Sequence, residues 1–562
     1  MSRSHINIFF LVAITHLWCV AAAGQTQKDS AQVKRDSVKS SQPELRDFEV
    51  IEDRWRIKAP PTEFTVEGSA ADPYNQNILK GDYPIIGQNT FLILTATAEN
   101  IFEIVKSPTP SGVSTREPLS DPFFGNGERL LNNANAKLSL ELYGGETAFR
   151  PRDWELKATG VFNLNYTKLK EFNGVNANVR KEAVRSENHF AFQELFLEKH
   201  LFNVSDRYDF VSLKVGIQKF GSDFRNFIFS DFNLAVRLFG NLNSNRIQWN
   251  LIYLPMLEKE TNSELNTVFE KRGQDVAIAN VYIQDWLALG YTTQFSVHFN
   301  HDKPGTHYDE NGFLVRPAIV GNTKPHDIKA YYAGWAGDGH FGWLNITHAF
   351  YQVFGTDDFN SLAGKKISLN AQMAAVELSV DDDWQRLRIS GLYASGDDDL
   401  ADDKGKGFDA ILDAPVFAGG AFSYWNSQRI GLQNVGLVQK FSVLPTLRSS
   451  KTEGQANFVN PGLLLATIGY DADITPKLRA VLNVNYLRFV NTAVLVDFLN
   501  QNAIHKQIGL DYSLGILYRP FLNNNAIIVL SFSAFSPLAG FKDIYERGEL
   551  LYAGMMSVVL TY

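Results

Sequence analysis

The 562-residue chain carries a single cysteine, Cys19, and only five methionines. One thiol excludes a disulfide scaffold and a thiolate metal site, and Cys19 falls within a leader-like segment, so a mature chain would hold none. No apolar run of about 18 residues occurs beyond the N-terminus, which argues against membrane-spanning helices. Positive charge is also scarce relative to negative: the net formal charge is -8, which excludes a generally basic nucleic-acid binder. The HExxH, GxSxG and P-loop patterns are absent, and the 11 histidines show no paired metal spacing. The expectation is therefore no enzyme, no cofactor and no metal.

Aromatic residues, in contrast, are abundant at 13%, yet charged residues make up 20%. A wall with one greasy and one wet face has that mixture. At the N-terminus, Arg3 and His5 precede the apolar stretch Ile6 to Val20, and Ala21, Ala22 and Ala23 supply small residues for cleavage near Gly24. This reads as a secretory signal peptide over residues 1–23. Residues 24–87 are polar and Pro-containing, and read as a periplasmic extension or linker. Residues 88–562 form the third unit.

Within that unit, segments of 8 to 13 residues alternate apolar and polar positions, separated by loops rich in Gly, Asn, Asp and Pro. In one, Trp154, Leu156, Ala158, Gly160, Phe162, Leu164 and Tyr166 share a face; Glu155, Lys157, Thr159, Asn163 and Asn165 share the other. Aromatics such as Trp154, Tyr253, Tyr486 and Tyr518 tend to close the segments, as interface girdles require. The chain ends on the same pattern, with Tyr552, Gly554, Met556, Val558, Leu560 and Tyr562 on one side. Soluble strands average about five or six residues, whereas membrane strands need about 9 to 11. The pattern predicts an all-β, transmembrane antiparallel barrel of 18 strands (range 16–18) in the outer membrane of a Gram-negative-type bacterium. Its lipid-facing band would meet outer-membrane lipid, and barrel-assembly machinery would engage the terminal strand ending at Tyr562. Oligomeric state and the direction of transport stay open.

If apolar faces meet lipid, the opposite faces line a lumen. They carry Lys137, Lys157, Lys214, Arg237, Arg246, Arg386, Arg388, Arg479 and Arg519, but only Glu141, Glu155 and Asp511 as acids. A basic lumen would favour anions by charge and by hydrogen bonding to carboxylate or phosphate. The alternative is that these cations pair with acids and only keep the lumen wet. A carboxylate-rich loop (Asp397, Asp398, Asp399, Asp402, Asp403) invites a calcium reading, but lacks EF-hand spacing and reads better as solvated.

Two stretches carry a resemblance. Residues 216–254, GIQKFGSDFRNFIFSDFNLAVRLFGNLNSNRIQWNLIYL, place Gly216, Gln218, Gly221, Asp223, Arg225, Val236 and Arg237 in a strand–turn–strand pattern. Residues 391–408, GLYASGDDDLADDKGKGF, end a strand on Ser395, Gly396 and Asp397 before an acidic loop and Phe408. Both resemble the alginate export family of outer-membrane barrels. Ile217 stands where that family often has arginine, and Ala235 where it has glycine. The resemblance implies an 18-stranded porin-like barrel conducting anionic solute or polysaccharide. From the lumenal charges, the expected constriction is formed by Arg237, Arg246, Arg386, Arg388 and Arg479, with Lys214 and Gln218 nearby and Arg225 in the same lumenal set. Two other functions fit the same residues: a general diffusion porin for small solutes, and a loop-plugged binding or adhesive barrel.

Overall fold

In the computed structural model, residues 77–108, 119, 121–145, 151–171, 183–310, 312–427, 447–546 and 548–562 are described. The signal peptide, and the extension up to residue 76, lie outside them. Eighteen antiparallel strands form one closed wall. They are β1 (Thr90–Lys106), β2 (Gly125–Gly144), β3 (Trp154–Glu171), β4 (Val184–Asn203), β5 (Phe210–Gly221) and β6 (Ser230–Leu242). The wall continues through β7 (Ile247–Lys259), β8 (Asn266–Gln284), β9 (Tyr291–Asp302), β10 (Ile328–Phe341), β11 (Leu344–Asn360) and β12 (Lys365–Asp382). It finishes with β13 (Gln385–Ala394), β14 (Leu463–Thr475), β15 (Leu478–Arg488), β16 (Gln507–Tyr518), β17 (Ala526–Pro537) and β18 (Leu551–Thr561).

The ring closes where the terminal alternation predicts. Strand β18 pairs with β1 from Thr97↔Thr561 to Lys106↔Tyr552, so neither strand leaves an open edge in lipid. Tyr552, Met556 and Leu560 point outward and are exposed, while Ala553, Ser557 and Val559 are buried inside. The same outward exposure of Leu138, Leu156, Phe162, Val215, Leu251, Val297, Phe354, Ile468 and Phe532 wraps the barrel. A closed ring with an apolar outer band is an outer-membrane barrel wall, because every backbone group is satisfied without water.

The two ends differ. One carries tight turns: residues 243–246, 342–343, 383–384 and 476–477 each join two strands. In the first of these, Asn243, Ser244 and Asn245 adopt positive φ, and the Asp209 carboxylate accepts the Ser244 and Asn245 N–H groups at 3.0 and 2.9 Å. Asparagine tolerates that left-handed backbone, so the chain reverses sharply there. The C-terminus and the start of β1 lie at this end, where Lys80 sits 3.9 Å over the Tyr562 ring. The other end carries the long connections, above all residues 303–327 and 395–462.

Strands β5 to β7 have 12 or 13 residues, against 20 in β4 and 19 in β8. The β5–β6 hairpin therefore turns lower in the wall than its neighbours, and its connection (residues 222–229) bends into the lumen instead of over the rim. Above it, the β7–β8 tip seals against β4: the Asn266 side chain donates to the Phe192 carbonyl at 3.2 Å. Among the described residues, no helix is long and apolar enough to cross a membrane; strands do the crossing.

Candidate functional site: a strapped, mixed-charge lumen

Two inward segments meet inside the barrel. The β5–β6 connection is shaped by Asp223, whose carboxylate accepts the N–H groups of Arg225, Phe227 and Ile228 at 2.9, 3.1 and 3.3 Å. Burial pushes the Asp223 carboxyl up from its ordinary range, against those three bonds. Residues 411–416, from the β13–β14 connection, then zip onto it. Leu412, Ala414 and Val416 N–H groups donate to the Ile228, Asn226 and Arg225 carbonyls at 3.0, 3.1 and 3.0 Å.

From there the chain crosses to the far wall. Phe422 lies on Gly515 of β16, where a Cβ would fall 2.4 Å from its ring. The Tyr424 and Trp425 N–H groups, in the short helix α1 (Tyr424–Ser427), donate to the Asp511 carboxylate at 3.2 and 3.1 Å. Residues 411–427 are thus a strap anchored on the β5–β6 connection and on β16. The returning limb is fixed by Lys451, which reaches Asp409 at 3.1 Å and Asp413 at 2.7 Å, and by Arg448, which reaches Asp409 at 3.3 Å. All four side chains are fully buried, and with Trp425, Phe408 and Phe458 they fill the long-loop half of the lumen. Buried charges on this scale are tolerated only when paired, as these are.

Toward the tight-turn end, two charged arrays line the wall. On β10 to β15, Arg225 reaches down from the inward connection to Glu377 at 3.1 Å and to the Thr347 hydroxyl at 2.9 Å, with Asp338 at 3.9 Å. Glu377 also faces Arg388 at 3.6 Å; Asp471 holds Arg388 at 2.7 Å and Arg479 at 3.1 Å. Facing into the same lumen from β1 to β5, Lys137 pairs with Glu99 at 2.5 Å and Lys157 with Glu194 at 3.0 Å. Lys214 pairs with Glu198 at 2.6 Å, and Arg152 with Glu141 and Glu155 at 2.5 and 3.0 Å.

These contacts correct the expectation of a basic lumen. Lys137, Lys157, Lys214, Arg388 and Arg479 do face inward, but Glu99, Glu194, Glu198, Glu377 and Asp471 face inward beside them. Arg237 is sandwiched on the Phe239 ring at 4.4 Å and donates to Asn250, so it braces the wall. Gln218 is buried against backbone carbonyls at 3.3 to 3.4 Å. Arg246 is not in a strand: it sits exposed in the tight turn at residues 243–246. Arg386 closes on Asp381 beside the β12–β13 turn, and Arg519 lies just past the end of β16.

The acidic loop is a turn held largely by its own carboxylates and docked on β12. Asp397 accepts the Asp399 and Lys406 N–H groups at 3.0 and 2.9 Å, and burial raises its carboxyl to about 6. Asp399 accepts the Ala401 N–H and Asp402 the Lys404 N–H, while Lys406 binds Asp398 and Asp402. Asp403 takes part through its carbonyl, which accepts the Ser368 N–H.

No protein-family model matches the chain, and no curated protein does. The alginate export resemblance is thus unsupported by any family match. Solved structures similar in fold include Pseudomonas aeruginosa OccK9 (OpdG), at 8% identity and a TM-score of 0.47, over 84% of this chain and 98% of that one. P. aeruginosa OccK7 (OpdD) follows at 11% identity and a TM-score of 0.46, over 85% and 99%. Acinetobacter baumannii OccAB1 gives 8% and 0.46, over 84% and 96%. The likeness is one of overall fold.

Proposed function

We propose that this protein is an outer-membrane diffusion channel for small hydrophilic solutes, with weak preference for either sign of charge. One observation carries the reading: an 18-stranded ring, wide enough for an aqueous channel, is narrowed from within by the strap and the Arg225 connection, and its remaining wall is lined by matched charges. Lys214, Arg225, Arg388 and Arg479 would offer passing anions transient partners, but each already holds a carboxylate. That balance argues for mixed selectivity and against a dedicated path for an anionic polymer. The terminal strand ending at Tyr562 would be the segment that barrel-assembly machinery reads.

Swelling of liposomes containing the purified barrel tests this. Swelling should be fast in monosaccharides, slower in disaccharides and absent in long oligosaccharides. Equal swelling in all three would contradict the narrowing, and none in any would remove the channel reading. A loop-plugged binding barrel is the second reading, favoured by the complete burial of Arg448, Lys451 and Trp425 in the long-loop half.

A further inference from the structure

Glu377 is a single carboxylate clasped from two directions. One oxygen accepts from Arg225, on the inward connection, at 3.1 Å; the other lies 3.6 Å from Arg388, on the adjacent strand β13. The Ser390 hydroxyl donates to that second oxygen at 2.8 Å, fixing the carboxylate between the two guanidinium groups. Among the described residues, Glu377 is the acid that joins the arginine of the inward connection to the arginines of the wall. The order along this wall is Asp338, Arg225, Glu377, Arg388, Asp471, Arg479.

We infer that Glu377 is the residue that suppresses anion selectivity in this channel, by neutralising Arg225 and Arg388 where the inward connection narrows the lumen. This rests on the channel reading above. Fixed charges at a constriction act on a passing ion at close range and with little intervening water, so one charge there outweighs several at the rims. Replacing Glu377 by glutamine removes one negative charge while leaving both arginines seated. Arg225 keeps the Thr347 hydroxyl at 2.9 Å and its connection's backbone bonds to the strap. Arg388 keeps Asp471, which accepts from Nη2 at 2.7 Å and from Nε at 3.2 Å. The glutamine carbonyl can still accept from Ser390.

The test is the reversal potential of single channels in a potassium chloride gradient. For Glu377→Gln, the chloride-to-potassium permeability ratio should rise at least about twofold over wild type. Glu377→Asp should stay near wild type, and Arg225→Gln should move the ratio the other way. Ser390→Ala, which keeps the carboxylate, should leave it unchanged and so separates charge from local geometry. Heat-modifiable gel migration confirms that each variant is a folded barrel; if Glu377→Gln does not fold, the opposite shift in Arg225→Gln decides. An unchanged or cation-shifted ratio in folded Glu377→Gln overturns the inference while leaving a conducting channel intact. A wild-type barrel that does not conduct overturns both.

Discussion

At the residue scale, the strap depends on a few close approaches. Phe422 can lie against β16 only because position 515 has no side chain. Gly515→Leu should leave the barrel heat-modifiable but lift the strap from that wall, giving larger and noisier single-channel conductance; an unchanged trace would mean that the strap does not define the passage. Two histidines of the β9–β10 connection hold its base. His307 faces Glu453 of the strap's returning limb at 3.8 Å and Glu258 of β7 at 3.9 Å, with Arg316 of its own connection nearby. The facing Glu453 carboxylate, with Glu258 beside it, raises it above the ordinary histidine value, against burial. His326 meets Asp357 at 2.6 Å, with Asp302 and Asp358 adjacent; burial lowers it, but these carboxylates outweigh burial and raise it. A group raised on folding stabilises fully below its unfolded value, near 6.5, and that contribution fades as pH climbs through the folded value. Protease cleavage within residues 303–327 should thus be slower at pH 6 than at pH 9. His326→Asn should flatten much of that difference; a cleavage rate independent of pH would contradict the pairing.

At the element scale, most of the wall was legible in the sequence. Period-two alternation needs no tertiary knowledge, and it gave the correct faces of β3 and β18, together with the strand number. The lumenal acids were legible in part. Val376, Leu378 and Val380 form an outward column that places Glu377 inward, yet the acid stands out only once β12 is read to its end. Pairings such as Lys214 with Glu198 were not legible, because they depend on register between strands. Arg246 was misplaced because residues 243–246 form a turn whose asparagines continue the polar pattern of the strand. The strap was illegible for a different reason: its bonds to Ile228 and Asp511 join segments roughly 180 and 90 residues apart with no periodic signal. The facing itself makes a sharp prediction on β17. Phe532→Arg on the lipid side should cost about 2–4 kcal/mol if it lies near the bilayer midplane, measured by reversible unfolding in lipid vesicles. Ser533→Arg, one residue on and facing inward, should cost far less; equal losses would contradict the assigned faces.

For the whole molecule, the consequence of this architecture is a barrel whose halves differ. The long-loop half is packed with a buried, charge-paired strap; the tight-turn half presents partly exposed ion pairs on two facing walls. A wide ring is thereby made narrow without giving up the closed sheet that membrane insertion demands. The claim on which everything else rests is that the strapped ring still conducts. Purified protein reconstituted at single-molecule density in a planar bilayer, under a potassium chloride gradient, tests it directly. Steady, voltage-independent openings with a reversal potential close to zero are expected, as matched lumenal charges require. A silent bilayer, or a reversal potential near the ideal value for either ion, would contradict it.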